Sequence, residues 1–268
     1  LKYKNITSHQ LDAEIILSKV LDKKREDILI SLDENIISTK ILEFYGLILR
    51  RALREPIAYI FNEKEFWSKN FEVTKDTLIP RPETELIVEK LMKIYRDKNI
   101  SILDIGTGSG CILISLLSEL KKSKGVGIDI SDKALMIAQK NAKKHRVIDR
   151  VKFIKSCLEN FNSKKVDLIV SNPPYIKRRI IQSLDEDVKK FEPKIALDGG
   201  NDGLDLIKKV IYKSKEILKK NGLLALEFGN EQKKQVSKIL LNNNFRIEHK
   251  LRDFEDNTRC FISRLINF

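Results

Sequence analysis

Ile102-Leu103-Asp104-Ile105-Gly106-Thr107-Gly108-Ser109-Gly110 decides the fold. Its first half, apolar apart from Asp104, reads as a buried strand, and the glycines end that strand abruptly. Beyond them Ile112, Leu113, Leu116, Leu117 and Leu120 recur at helical spacing, so the segment runs strand, glycine-rich loop, helix. Such a loop lets a ligand approach the backbone closely, beside helix N–H groups. A second strand, Gly125-Val126-Gly127-Ile128-Asp129, ends in a carboxylate. It lies about 20 residues after the loop, where an acid can accept from both ribose hydroxyls of a nucleoside.

Outward from this unit the alternation continues, with strands expected at 101–105, 125–129, 151–155, 166–171 and 222–228. Helices are expected near 110–121, 132–145, 203–220 and 231–243, which predicts an α/β fold with a mostly parallel sheet covered on both faces. The end differs: Phe245–Leu251 and Thr258–Ser263 read as two strands with no helix between them, a hairpin-like finish with one antiparallel strand. The glycines are spaced G-x-G-x-G rather than G-x-G-x-x-G, and the acid ahead of them suits a cationic ligand better than a pyrophosphate. Both features favour S-adenosylmethionine over NAD.

Asn172-Pro173-Pro174-Tyr175 follows the apolar run Val166–Val170, at the strand end where open α/β sheets bind ligands. Asn172 offers a side-chain carbonyl as acceptor, and the prolines have fixed φ and no N–H, which leaves backbone carbonyls free to accept. Tyr175 supplies a flat face for stacking. The set suits holding a planar NH2 group still. Read alone, an ordinary Asn-Pro turn accounts for it equally well; the glycine loop upstream tips the balance.

The 268 residues are 42% hydrophobic and 33% charged, the balance of a globular protein with a substantial core. No apolar run has membrane-spanning length and no signal-peptide pattern is present, so a cytoplasmic protein without a membrane partner is expected. Cys111, Cys157 and Cys260 are far apart, as are His9, His145 and His249, so no metal site is expected. The chain opens on Leu1 rather than Met, and a trimmed or missing natural N-terminus is the expectation. The formal charge of +13 favours an anionic partner, but the lysines are spread, as A+T-rich coding alone would leave them.

Residues 1–64 read as four or five short helices, with Leu11, Ile15, Ile16 and Val20 on one stripe and Ile41, Phe44, Tyr45, Ile48, Leu49 and Ala52 on another. Residues 65–80 read as a hairpin linker, with Phe66, Phe71, Val73 and Leu78 around Ser68-Lys69-Asn70. Ile79-Pro80-Arg81-Pro82 forms a rigid strap into the unit at 81–268, and Arg81 is expected to pair with an acid or meet substrate.

Asp104–Gly110, Asp129 and Asn172–Tyr175 resemble the class I methyltransferases that act on amide or exocyclic amino nitrogens. Arg54-Glu55-Pro56-Ile57-Ala58-Tyr59-Ile60, Glu65-Phe66-Trp67, Phe71-Glu72-Val73 and Thr77–Glu85 narrow the match, and the chain as a whole resembles the HemK/PrmC family. These are release factor-specific protein-(glutamine-N5) methyltransferases. The resemblance implies a Rossmann-like, mostly parallel seven-stranded sheet with a small N-terminal helical domain that helps recognise substrate. It implies S-adenosylmethionine as cofactor, held by Gly106, Thr107, Gly108, Ser109, Gly110, Asp129, Leu158 and Asn172. The implied substrate is the glutamine of a Gly-Gly-Gln loop in peptide-chain release factors, with nucleic acid not required. Asn172, Pro173, Pro174 and Tyr175 would bind it, and Asn172, Pro173 and Tyr175 would act in catalysis.

One departure stands out: after the third strand many relatives place an Asp and an aromatic residue beside adenine, where this chain has Cys157 and Leu158. Glu192 matches a family position and is a candidate to contact the substrate backbone, and Leu197–Gly203 reads either as a closing loop or as a plain connection. Competing readings are a nucleic-acid base or ribosomal-protein glutamine methyltransferase, a silent binding protein that kept the fold, and an NAD-dependent oxidoreductase.

Overall fold

The computed structural model describes residues 1–30 and 36–266. At the N-terminus it has helices α1 (His9–Leu21), α2 (Arg25–Ile30), α3 (Ser38–Ala52) and α4 (Ile57–Ile60), then a hairpin of β1 (Glu63–Phe66) and β2 (Lys69–Glu72). After α5 (Glu85–Tyr95) come β3 (Ser101–Ile105), α6 (Cys111–Glu119), β4 (Lys124–Asp129), α7 (Asp132–Lys144), β5 (Val151–Lys155) and β6 (Val166–Ser171). The chain finishes with α8 (Glu186–Phe191), α9 (Asp205–Ile217), β7 (Leu218–Glu227), α10 (Lys233–Asn242), β8 (Phe245–Arg252) and β9 (Thr258–Leu265).

Seven strands form one sheet in the order β5-β4-β3-β6-β7-β9-β8. Every pair from β5 to β7 is parallel, and β9 runs antiparallel between β7 and β8. The α/β class, the mostly parallel sheet and the hairpin finish are as expected. The apolar runs have a direct cause. Ile102, Leu168, Val170, Leu223 and Ala225 enter one apolar cluster with α5 and α6. Their neighbours Leu103, Ile169, Leu224 and Leu226 enter the other, with α9 and α10. A strand covered on both faces needs no polar alternation. The order reverses between β3 and β6, which puts the glycine loop and Asn172 on either side of the crevice at the switch point.

Two elements differ from the sequence reading. The helix expected at 203–220 ends at Ile217, and Leu218 is already extended and fully buried beside Val166. Lys219 and Lys220, which resemble a basic helix C-terminus, lie in the strand before a register shift. The second helical stripe splits: Ile41, Tyr45 and Leu49 are exposed, together with Leu42 and Leu53, whereas Phe44, Ile48 and Ala52 are half-buried. The buried residue of α3 is Arg51, whose guanidinium meets Asp12 of α1 at 2.6 Å and Asp187 of α8 at 2.7 Å. On the first stripe Ile16 and Val20 are buried, whereas Leu11 is exposed. Periodicity marks an apolar face without saying what covers it.

The hairpin begins at Glu63, two residues before the expected linker, and turns through Trp67 and Ser68, both at positive φ. Phe66 and Phe71 are buried in the same cluster as α5 and α6, so it packs as part of the sheet's own core. Among the described residues no helix is long and apolar enough to cross a membrane.

Candidate active site

A cavity of about 330 Å³ opens at the carboxyl ends of β3, β4 and β6. Gly106–Ser109, Asp129, Ile130, Leu158, Asn172 and Pro174 line it, and the strap Leu78–Arg81 closes one side. The glycine loop is held from the neighbouring strand β4: the Gly106 and Thr107 N–H groups both donate to the Ile128 carbonyl, at 2.9 and 3.0 Å. Gly106 and Gly108 have φ of 72° and 55°, and no atom lies within 4 Å of where a Cβ would stand. Gly110, at φ 80°, does different work. A Cβ there would come within 2.7 Å of Ile114 Cδ1, so it permits close packing at the start of α6 and does not line the cavity.

Asp104 lies beneath the loop, 1% exposed, and accepts from Thr107 Oγ1 at 2.7 Å. Burial, reinforced by the Asp129 charge and opposed by that hydrogen bond, pushes its carboxyl up to about 7. Its role is to order the loop. Asp129 faces the cavity and also holds its rim: Oδ2 accepts from Gly108 N and Oδ1 from Ser131 N, both at 2.9 Å. Leu158 is a buried wall next to Cys157, and both line the cavity. Asn141 of α7 clamps this floor to the hairpin. Its Nδ2 donates to the Ser109 and Glu72 carbonyls and its Oδ1 accepts from Glu72 N.

The tetrapeptide splits between wall and backing. Asn172 and Pro174 line the cavity, while Pro173 is buried and Tyr175 lies outside the lining. The Tyr175 ring packs against the α9–α10 cluster and its hydroxyl donates to Glu227 Oε1 at 3.4 Å. Asn172 Nδ2 donates to Thr84 Oγ1 at 3.3 Å, and Asn172 Oδ1 is buried with no partner. A buried carbonyl left so costs about 1–3 kcal/mol until a donor reaches it. Thr84 Oγ1 in turn donates to Glu227 Oε2 at 2.7 Å. Glu227, 3% exposed at the end of β7, was not singled out from sequence. The available signal was a carboxylate closing the apolar run Leu223–Leu226, the same pattern that marked Asp129. Burial, outweighing the Thr84 and Tyr175 hydrogen bonds, pushes its carboxyl up to about 7.

Arg81 and Glu192 find each other. Arg81 Nη2 sits 2.5 Å from Glu192 Oε1, and Ile79 N donates to Glu192 Oε2. Glu192 thereby ties the strap to the loop after α8. The glycine-rich segment 197–203 is a backing for the tetrapeptide: Ile176 N donates to Leu197 O and Gly199 N to Ile176 O. A Cβ on Gly199 would fall 2.8 Å from the Pro174 carbonyl, and one on Gly203 2.4 Å from that of Tyr175.

The residues present fit S-adenosylmethionine. Bare backbone with open space above it lies at Gly106 and Gly108, a carboxylate stands at the end of β4, and an apolar wall at Leu158 suits adenine. An unpartnered acceptor, Asn172 Oδ1, belongs to a residue lining the same cavity.

Residues 96–250 match a family model described as a methyltransferase domain, and residues 1–61 match the PrmC N-terminal domain. Residues 32–157 also match the protein-L-isoaspartate(D-aspartate) O-methyltransferase model. A release factor glutamine methyltransferase of Clostridium botulinum is 40% identical over 98% of this chain and 95% of its own length. A bifunctional methyltransferase of Rickettsia conorii is 38% identical over 98% of this chain and 55% of its own, so this chain spans about half of that relative. Among solved structures, a methyltransferase from Pyrococcus furiosus superposes with a TM-score of 0.57 at 16% identity, over 83% of this chain and 98% of that one.

Proposed function

Because this chain belongs to the release factor glutamine methyltransferase family, we propose that it methylates the side-chain amide nitrogen of a glutamine in the Gly-Gly-Gln loop of peptide-chain release factors. The observation that carries the reading is Asn172 Oδ1, a buried acceptor without a donor, on a residue that shares its cavity with the glycine loop and Asp129. A substrate carboxamide brings the missing donor.

S-adenosylmethionine, when bound, supplies a methyl group already activated on a sulfonium. Gly106–Ser109 would receive it on bare backbone, Asp129 would accept from its ribose hydroxyls, and Leu158 would cover its adenine, all of them lining the same cavity. What remains for the protein is the nucleophile. An amide nitrogen reacts poorly because its lone pair is delocalised into the carbonyl. The Asn172 side-chain carbonyl and the Pro173 backbone carbonyl each accept one N–H, which turns the nitrogen towards the methyl and stabilises the positive charge developing on it. Alignment at near contact supplies most of the acceleration. Pro174 packs beside the flat amide and excludes water, while Tyr175, outside the lining, braces the loop from behind through Glu227.

In this reading residues 1–64 are the docking lobe, 65–80 the linker and 81–268 the catalytic unit. Support for the lobe's role comes from α3 and the residue after it, which leave Leu42, Tyr45, Leu49 and Leu53 exposed, an apolar face suited to a protein partner. The test offers purified protein and radiolabelled cofactor to a release factor, a ribosomal protein and nucleic acid in parallel. Label is expected in the release factor glutamine and is lost with Asn172→Ala. Label confined to nucleic acid refutes the assignment.

A further inference from the structure

We propose that Glu227 is a positioning residue that fixes which end of the Asn172 side-chain amide faces the substrate, and that its protonation reverses that choice. The inference deepens the proposed amide methylation and rests on it for its kinetic consequence only.

The argument is a count of protons along a buried chain. Glu227 Oε2 lies 2.7 Å from Thr84 Oγ1, which lies 3.3 Å from Asn172 Nδ2, while Glu227 Oε1 faces the Tyr175 hydroxyl at 3.4 Å. An ionised carboxylate only accepts, so both hydroxyls must point their protons at it. Thr84 has a single proton. Once that is given to Glu227, its oxygen can only accept, and the Asn172 NH2 group is the end that must face it. The carbonyl end is thereby left for the substrate, which matches the buried, unpartnered Oδ1. A proton on Glu227 Oε2 changes the order. The carboxylic acid donates to Thr84, the Thr84 hydroxyl proton becomes free to turn to Asn172, and the amide is then better satisfied with its carbonyl inward. Its NH2 group would meet the substrate NH2, donor against donor.

The surroundings of Glu227 make this a live equilibrium. Thr84 and Glu83 face it from the turn before α5, Tyr175 from the loop after β6, Arg259 and Cys260 from β9, and Cys111 from α6. Arg259 is held by Asp253 at 2.6 Å, and among the described residues no cation lies within ion-pair distance of Glu227. Its negative charge rests on two neutral hydroxyls. With its carboxyl raised to about 7, small changes in acidity shift the chain's state.

The experiment follows methyl transfer to a release factor, with cofactor and substrate saturating, from about pH 5.5 to 8.5. The wild-type rate is expected to fall on the acid side with a midpoint near 7, and Glu227→Gln to lack that limb. Thr84→Ser should keep it. Thr84→Val should lose it together with about tenfold in kcat, at unchanged cofactor affinity by calorimetry. An identical acid limb in Glu227→Gln, or a Thr84→Val variant indistinguishable from wild type, overturns the proposal and leaves the proposed function standing. If the wild type labels no release factor, that function fails instead, and the Asn172 side-chain amide resonances decide on Glu227. Their movement with a midpoint near 7 in wild type but not in Glu227→Gln upholds the proposal; fixed resonances in the wild type end it.

Discussion

Asp129 does two jobs with one carboxylate. Each oxygen accepts one backbone N–H, from Gly108 and from Ser131, and each keeps a further lone pair towards the cavity. Removing a charged hydrogen bond of this kind costs about 1.5–3 kcal/mol. Asp129→Ala is therefore expected to weaken cofactor binding ten- to about a hundredfold in a calorimetric titration, and unchanged affinity would remove Asp129 from the site. Asp104 has a different signature. Its carboxyl is raised from 3.8 to about 7, so the folded protein keeps a proton that the unfolded chain releases between those values. Its contribution to stability is full below about pH 4 and is lost as pH rises through about 7. Urea midpoints at about pH 5 and pH 8 should show a drop that is smaller in Asp104→Asn; Glu227, raised in the same sense, accounts for part of what remains. Asp129 was readable in sequence because its position after the loop is set by strand and helix lengths. Glu227 was not, because its importance lies in Thr84 and Tyr175, which are 143 and 52 residues away along the chain.

At the scale of elements, α3 is amphipathic in an unusual sense. The face holding Phe44, Leu47 and Ile48 is half-buried, with Arg51 buried among them, and a second apolar face is open to solvent. Arg51 joins α1 to α8 through two carboxylates, with side-chain exposures of 6% for Arg51 and 8% for Asp12. Taking one partner from such a buried set leaves an uncompensated charge. Arg51→Met is expected to lower the unfolding free energy by about 3 kcal/mol in urea denaturation, and a change below about 1 kcal/mol would show that water reaches the pair. No helical-periodicity argument finds this, because a charged residue scores as outward-facing until its partners are placed. The strands are the opposite case. Their apolar runs, bounded by charged and turn-forming residues, are long enough for strand and too short for helix, so β3, β4 and β6 were legible to within a residue.

For the whole molecule, two contacts among the described residues stand out in fastening the N-terminal helices to the sheet domain. One is the Arg51–Asp187 pair, and the other is the cluster of Ala58, Tyr59, Val73 and Ile79, where Tyr59 Oη donates to the Thr77 carbonyl at 2.6 Å. The strap that follows Thr77 lines the cavity, so the lobe proposed to dock the substrate is continuous with the wall of the site. Replacing both Tyr45 and Leu49 by Ala should raise KM for the release factor about tenfold while leaving cofactor affinity untouched. An unchanged KM would assign docking to another surface. The α/β class, the glycine loop, the carboxylate closing β4 and the tetrapeptide were legible in the sequence, since each is a local pattern whose form is set by backbone geometry over a few residues. That Asn172 keeps a free carbonyl, that Glu192 pairs with Arg81 and that Glu227 stands behind Thr84 emerged with the folded arrangement alone. Those facts depend on which distant side chains a buried polar atom can reach, and burial makes every such pairing count.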